Sequence, residues 1–175
     1  MRFLSDFRAL IIGLWLGAAC FFSFAVAPSA FAVLPSREIA GSLVSRTLMI
    51  VNLSGLVIGL ILLASSFIKR LDRKPFWLWT ERFLLLIFTL ACAVGQFVIA
   101  LWLSFIRAQI GKPIDEVAAD DPLRIQFNNL HQYSVWVLLA GMIAALILFF
   151  LIAGKPDKNV VLEKKDEFKI DEFKI

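Results

Sequence analysis

The sequence predicts an all-α integral membrane protein: a four-transmembrane-helix bundle with its N- and C-termini cytoplasmic. Three observations predict it. The chain is 60% hydrophobic and only 18% charged over 175 residues, whereas a soluble domain averages about 45–50% apolar and about 25% charged. Four charge-free runs are each long enough to cross a hydrocarbon core of roughly 30 Å, which takes about 20 helical residues. Lysine and arginine then divide unequally between the two sides that those runs define. The mean hydropathy of +0.83 agrees. The net charge of +4 reflects orientation in a bilayer, and no nucleic-acid partner is expected.

The first span, about residues 9–28, contains the 19 charge-free residues from Ala9 to Ala27. A competing reading exists, because Arg2 and Arg8 precede an apolar run and Ala30-Phe31-Ala32 has the form of a signal-peptidase site. The run exceeds the roughly 7–15 residues of a signal h-region. Leu16 also stands four residues before Cys20, where a lipoprotein box needs three. The first helix is therefore expected to be retained, with Pro28 near its outer end. The stretch 34–46 is read as a linker lying at the lipid surface.

The remaining spans are about 47–68, 83–106 and 132–154, containing charge-free runs of 22, 24 and 23 residues. None alternates as a barrel strand would, and helices satisfy their own backbone groups in lipid. Within the loop 108–131, Asp121-Pro122 reads as an N-cap followed by proline at the first helical position. The fourth helix is thus predicted to start near Pro122. Leu123, Phe127 and Leu130 then share one face, and Arg124, Asn128 and His131 another. Residues 1–154 form the transmembrane domain, and 155–175 a charged cytoplasmic tail. That tail ends in a tandem copy, DEFKI at 166–170 and 171–175, read as a mobile terminus; a partner-binding tail is the alternative.

Thirteen of the 18 lysines and arginines fall on the side of the two termini and the 69–82 loop, and five on the other. The positive-inside rule makes the first side cytoplasmic. Trp77 and Trp79 at the inner boundary, with Trp102, Tyr133 and Trp136 near the outer one, form the expected aromatic belt. The lipid bilayer is the first partner. Small-residue pairs recur on every helix: Gly13/Gly17, Gly55/Gly59, Ala91/Gly95 and Gly141/Ala145. They permit close helix approach, within the chain or in a homo-oligomer.

Candidate functional residues are few. The four charge-free runs hold no Asp, Glu, Lys or Arg, which argues against a proton- or ion-coupled pump. His131 is the only histidine, so a haem held by two histidines of one chain is excluded. Asn52 lies roughly 9 Å and Gln96 roughly 15 Å below the outer boundary. His131, Asn128, Arg124, Asn52 and Gln96 would line a shallow outward-facing pocket for a small polar ligand or a metal. For Asn52 and Gln96 the plainer role is hydrogen bonding between helices, about 0.6 kcal/mol. Cys20 and Cys92 lie at similar depth and with Met49 and Met142 offer soft ligands to a copper-like ion; buried cysteine also serves as a small hydrophobe. No CxxC spacing is present, and no cofactor is expected unless a metal ion binds.

Two stretches resemble a known family. Phe21-Phe22, Ala27-Pro28, Phe31, Leu34-Pro35 and Ala40-Gly41 in the first stretch, and Phe127, Asn128, Leu130, His131 and Ser134 in the second, are similar to signatures of the transmembrane protein 205-like family, also called domain of unknown function 4149. The resemblance implies a four-span membrane fold with a retained first helix. It carries no established reaction and no catalytic residues. A more distant likeness in layout links such proteins to copper-resistance D-type proteins and histidine-dependent membrane protoporphyrinogen oxidases, whose additional histidines this chain lacks. The expectation is a non-enzymatic protein of the bacterial cytoplasmic membrane. It would handle or help export a small solute or metal at the outer face. The alternatives are an assembly subunit or a haem- or copper-related redox protein.

Overall fold

A computed structural model of the chain describes residues 2–67 and 75–154. The DEFKI copies, the rest of the tail and the basic residues Lys69, Arg70, Arg73 and Lys74 lie outside the described residues. Four helical rods are long and apolar enough to cross a membrane: Phe3–Val33, Arg37–Ser66, Pro75–Ile110 and Pro122–Ala153. Each begins before the charge-free run that announces it.

The first rod comprises α1 (Arg2–Phe21), a π-helical turn (Phe22–Val26) and α2 (Ala27–Val33). The π turn has a local cause. Pro28 has no N–H to give, and its ring clashes with the carbonyl four residues back, so the helix widens just before it. The Ala27 N–H accordingly reaches the Phe22 carbonyl, five residues away. Ala30-Phe31-Ala32 is helical rather than an extended cleavage site.

The expected linker 34–46 is largely absent. Only Leu34, Pro35 and Ser36 turn the chain, and α3 runs from Arg37 to Ser66. Ser36 has extended backbone, and its hydroxyl accepts the Ile39 N–H at 3.2 Å. Glu38 in the first turn complements the positive helix end. The third rod comprises α4 (Pro75–Val94), a second π turn (Gly95–Ala100) and α5 (Leu101–Ile110). It stops at Gly111, whose φ of 65° lies in the left-handed region that glycine enters freely. After a short 3-10 turn (Ile114–Glu116), α6 runs from Pro122 to Ala153. Asp121 caps it, accepting the Leu123 N–H at 2.8 Å, so the predicted start at Pro122 holds.

The rods alternate in direction. The fourth packs against the first and the third, and the second against the third. Contacts between α3 and the third rod keep one antiparallel register along their length: Arg82 with the Ser66 carbonyl, Gly59 with Thr89, Gly55 with Cys92, Asn52 with Gly95, and Gly41 with Arg107. The core is solid. Ile12, Ala19, Leu85, Phe88, Ala145 and Leu148 have no exposed surface, and Trp15 meets Phe88 edge-on at 4.7 Å. The outward faces are apolar as well, with Leu14, Phe24, Leu60, Phe97, Leu101 and Phe150 exposed. In water so large an apolar exterior would drive aggregation; here it fits a multi-pass membrane protein.

Candidate functional site

Two polar regions stand out, one at each end of the bundle. At the end where α1 begins and α6 finishes, Arg8 and Glu81 form an ion pair at 2.6 Å, with side chains 2% and 1% exposed. Arg8 also donates to the Leu62 carbonyl at 3.1 Å, Arg82 to the Ser66 carbonyl at 3.0 Å, and Ser5 to the Ile152 carbonyl at 3.3 Å. All four rods are tied there. The charge-free runs do hold no charge, but the packed bundle is not charge-free. Arg8 directly precedes the first run and Glu81 lies two residues before the third, and each is drawn into the core. Desolvating two charges is expensive, and a close hydrogen-bonded pair offsets the expense. Removing Glu81 would leave the Arg8 charge buried with only the neutral Leu62 carbonyl beside it among the described residues.

At the opposite end the linkers enclose a cleft of about 260 Å³, bounded by Arg37, Glu38, Gly41 and Ser42 of α3, Arg107 of α5, Lys112 of the loop, and Phe127 of α6. Arg107 is its centre. The guanidinium donates to Ser45 Oγ at 3.3 Å, passes over Gly41 and lies 5.1 Å from the Phe127 ring centre. Arg37 bonds Asp115 at 3.4 Å across the mouth. The volume lies below the roughly 300–1,000 Å³ of drug-sized sites, so any occupant is small.

The residues singled out from sequence are placed as follows. Arg124 donates to the Val117 carbonyl and so holds the 3-10 turn against α6. Asn128 and His131 are exposed on α6, where the charge of Arg107 reaches His131. None of these three lines the cleft, although Phe127, one turn before His131, does. Asn52 and Gln96 come together: the Asn52 amide packs against Gly95, next to Gln96 at the start of the π turn. Asn52 is 4% exposed, and Gln96 Oε1 is buried with no hydrogen-bond partner among the described residues. Along α3 this level is eleven residues from Gly41, roughly 16 Å below the cleft. The cysteines face different neighbours. Cys92 packs with Trp15 around Gly55, while Cys20 lines a groove with Gly13, Gly17, Leu146 and Phe149. Met142 accepts a long contact from the Ser23 hydroxyl, 4.0 Å to sulfur, and Met49 is exposed. Among the described residues, no three His, Cys, Asp or Glu side chains gather as a metal site.

The family model for a domain of unknown function, DUF4149, matches residues 10–112. The chain belongs to the DUF4149 family. The DUF4149 match contains Trp15, Cys20, Arg37, Asn52, Cys92, Gln96, Arg107 and Lys112, and stops before Arg124, Asn128 and His131. It therefore includes most of the cleft and the whole carboxamide level, and omits the second signature at 125–135. No curated protein and no solved structure matches the chain.

Sequence reasoning passed over Arg37, Arg107 and Lys112, counting them only as outer-side charges, counted Arg8 only as an inner-side charge, and did not single out Glu81. The one local signal was Arg107 and Lys112 flanking Gly111, cations held on either side of a fixed turn.

Proposed function

We propose that this DUF4149 protein lies in a bacterial cytoplasmic membrane with both termini inside, and that it binds a small polar solute at the outer face, assisting its export or handling. The positive-inside count supports the orientation, which turns the Arg37–Arg107 cleft outward. The observation that carries the reading is the cleft itself, a small concave site with convergent polar groups. The solid core beneath it and the tied Arg8–Glu81 end argue against an open channel. No reaction is assigned. Native mass spectrometry from mild detergent tests the binding: a small ligand retained by wild type and lost from Arg107→Gln supports it, and identical ligand-free spectra argue against it.

A second reading, a subunit that assembles with another apolar helix, is favoured by the groove of about 350 Å³ beside Gly13 and Gly17. Gly17 has nothing within 4 Å of where a side chain would begin. Loss of a crosslinked partner band on Gly17→Leu would support this reading, and an unchanged crosslinking pattern would count against it.

A further inference from the structure

We propose that the solute group taken by the cleft is an anion, a carboxylate or phosphate, held between Arg107 and Lys112. The inference rests on the reading of the cleft as a solute site and adds the class of ligand. It follows from which charges are already engaged. Three cations and two carboxylates line the cavity: Arg37, Arg107 and Lys112 with Glu38 and Asp115. Asp115 is bonded by Arg37. Glu38 stands in the first turn of α3, where the unpaired N–H groups of the helix start favour its negative charge. Arg107 hydrogen-bonds a neutral hydroxyl and lies over an aromatic face. The charge of Glu38 reaches it, but no ion pair joins the two, and its guanidinium carries five N–H donors suited to planar oxyanions. Lys112 makes no hydrogen bond or ion pair among the described residues. The lining is therefore positive on balance, with Lys112 and the donors of Arg107 left to hold an anion.

Geometry keeps the two cations in place. Arg107 is the last basic residue of α5 and its carbonyl accepts the Gly111 N–H at 3.1 Å. The left-handed Gly111 turns the chain so that Lys112 starts beside the end of the same helix. Pro113 then restricts the backbone on the far side of Lys112. Phe127 and Ile114 give the cavity an apolar wall, which lowers the local dielectric around the charges. A lipid headgroup and a free solute share this chemistry, and the cleft's place at the bilayer boundary admits both.

The test uses full-length protein in phosphatidylcholine nanodiscs, with Cys20 and Cys92 replaced by alanine and Ser42→Cys as a reporter inside the cleft. The labelling rate by a small maleimide reads occupancy. Inorganic phosphate and acetate are expected to slow labelling, and tetramethylammonium and glycerol to leave it unchanged. Adding Arg107→Gln should raise the phosphate concentration for half protection about tenfold or more, the loss of one charge-assisted bond. Lys112→Gln, in a loop and without partners, is the second variant and should act in the same direction. Slow labelling in phosphatidylglycerol discs without added phosphate would identify the anion as a headgroup; protection by phosphate in phosphatidylcholine discs would identify a free solute. Protection by tetramethylammonium or glycerol but not by the anions would overturn the inference and leave the solute site standing. Protection by none of the four probes in either lipid would overturn both.

Discussion

Gly55→Ala places one methyl group where the structure has no room for it. A Cβ at Gly55 would stand 2.6 Å from Cys92 Sγ, 2.6 Å from Trp15 Nε1 and 2.8 Å from Trp15 Cε2, against ordinary carbon contacts of about 3.5–4.0 Å. Trp15 cannot retreat freely, because its indole N–H donates to the Val51 carbonyl at 2.9 Å and Phe88 meets its ring edge-on. Overpacking of this kind costs about 1–3 kcal/mol, and swinging the indole away forfeits a bond worth about 1 kcal/mol. Alanine returns up to about 1 kcal/mol of helix propensity, leaving a net loss of about 2 kcal/mol. For a domain of this size that lowers the midpoint of thermal unfolding by about 4–8 °C. The assay is thermal unfolding in mild detergent, with Gly17→Ala as control, since nothing lies within 4 Å of the Gly17 position. Gly55→Ala as stable as wild type, or Gly17→Ala equally destabilised, would refute the packing of α1, α3 and α4 around Gly55.

Glu81→Ala should lower stability by about 3–5 kcal/mol, because it strands the buried Arg8 charge. The double variant Arg8→Met/Glu81→Leu should lose less than Glu81→Ala alone; denaturant unfolding in detergent checks this, and a double loss equal to or larger than that of Glu81→Ala contradicts it. Gln96→Leu should stay within about 0.5 kcal/mol of wild type in the same assay, since Oε1 makes no bond among the described residues that the change would remove. A loss above about 1 kcal/mol would show that the carboxamide has a partner of its own.

The four rods were legible because lipid imposes a coarse rule: some twenty apolar residues without charge, whatever their order. Asp121-Pro122 was equally plain, since capping is local chemistry. Ser36-Arg37-Glu38 carried the same kind of signal, an N-cap with an acid in the first turn, but the search for charge-free runs hid it and left 34–46 as a linker. Charge counting also set Arg8 at the edge of its span and left Glu81 unremarked. Burial depends on which faces of four helices meet, and that information is not contained in any one helix. The small-residue pairs showed that helices touch without showing where. Gly55 and Gly59 turn out to be spent on Cys92, Trp15 and Thr89, inside the chain. The cleft was the least legible feature, since its residues come from the start of α3, the end of α5, a loop and α6, with no common spacing. The sequence pointed instead to the neighbouring face of Arg124, Asn128 and His131, one helical turn away from Phe127.

The side of the membrane on which Lys112 lies decides whether the cleft can serve an outward-facing role. Lys112→Cys, in a background with Cys20 and Cys92 replaced by alanine, can be treated in intact cells with a membrane-impermeant maleimide. Labelling is expected without permeabilisation. Labelling only after the membrane is opened would place the cleft inside and contradict an outward-facing role.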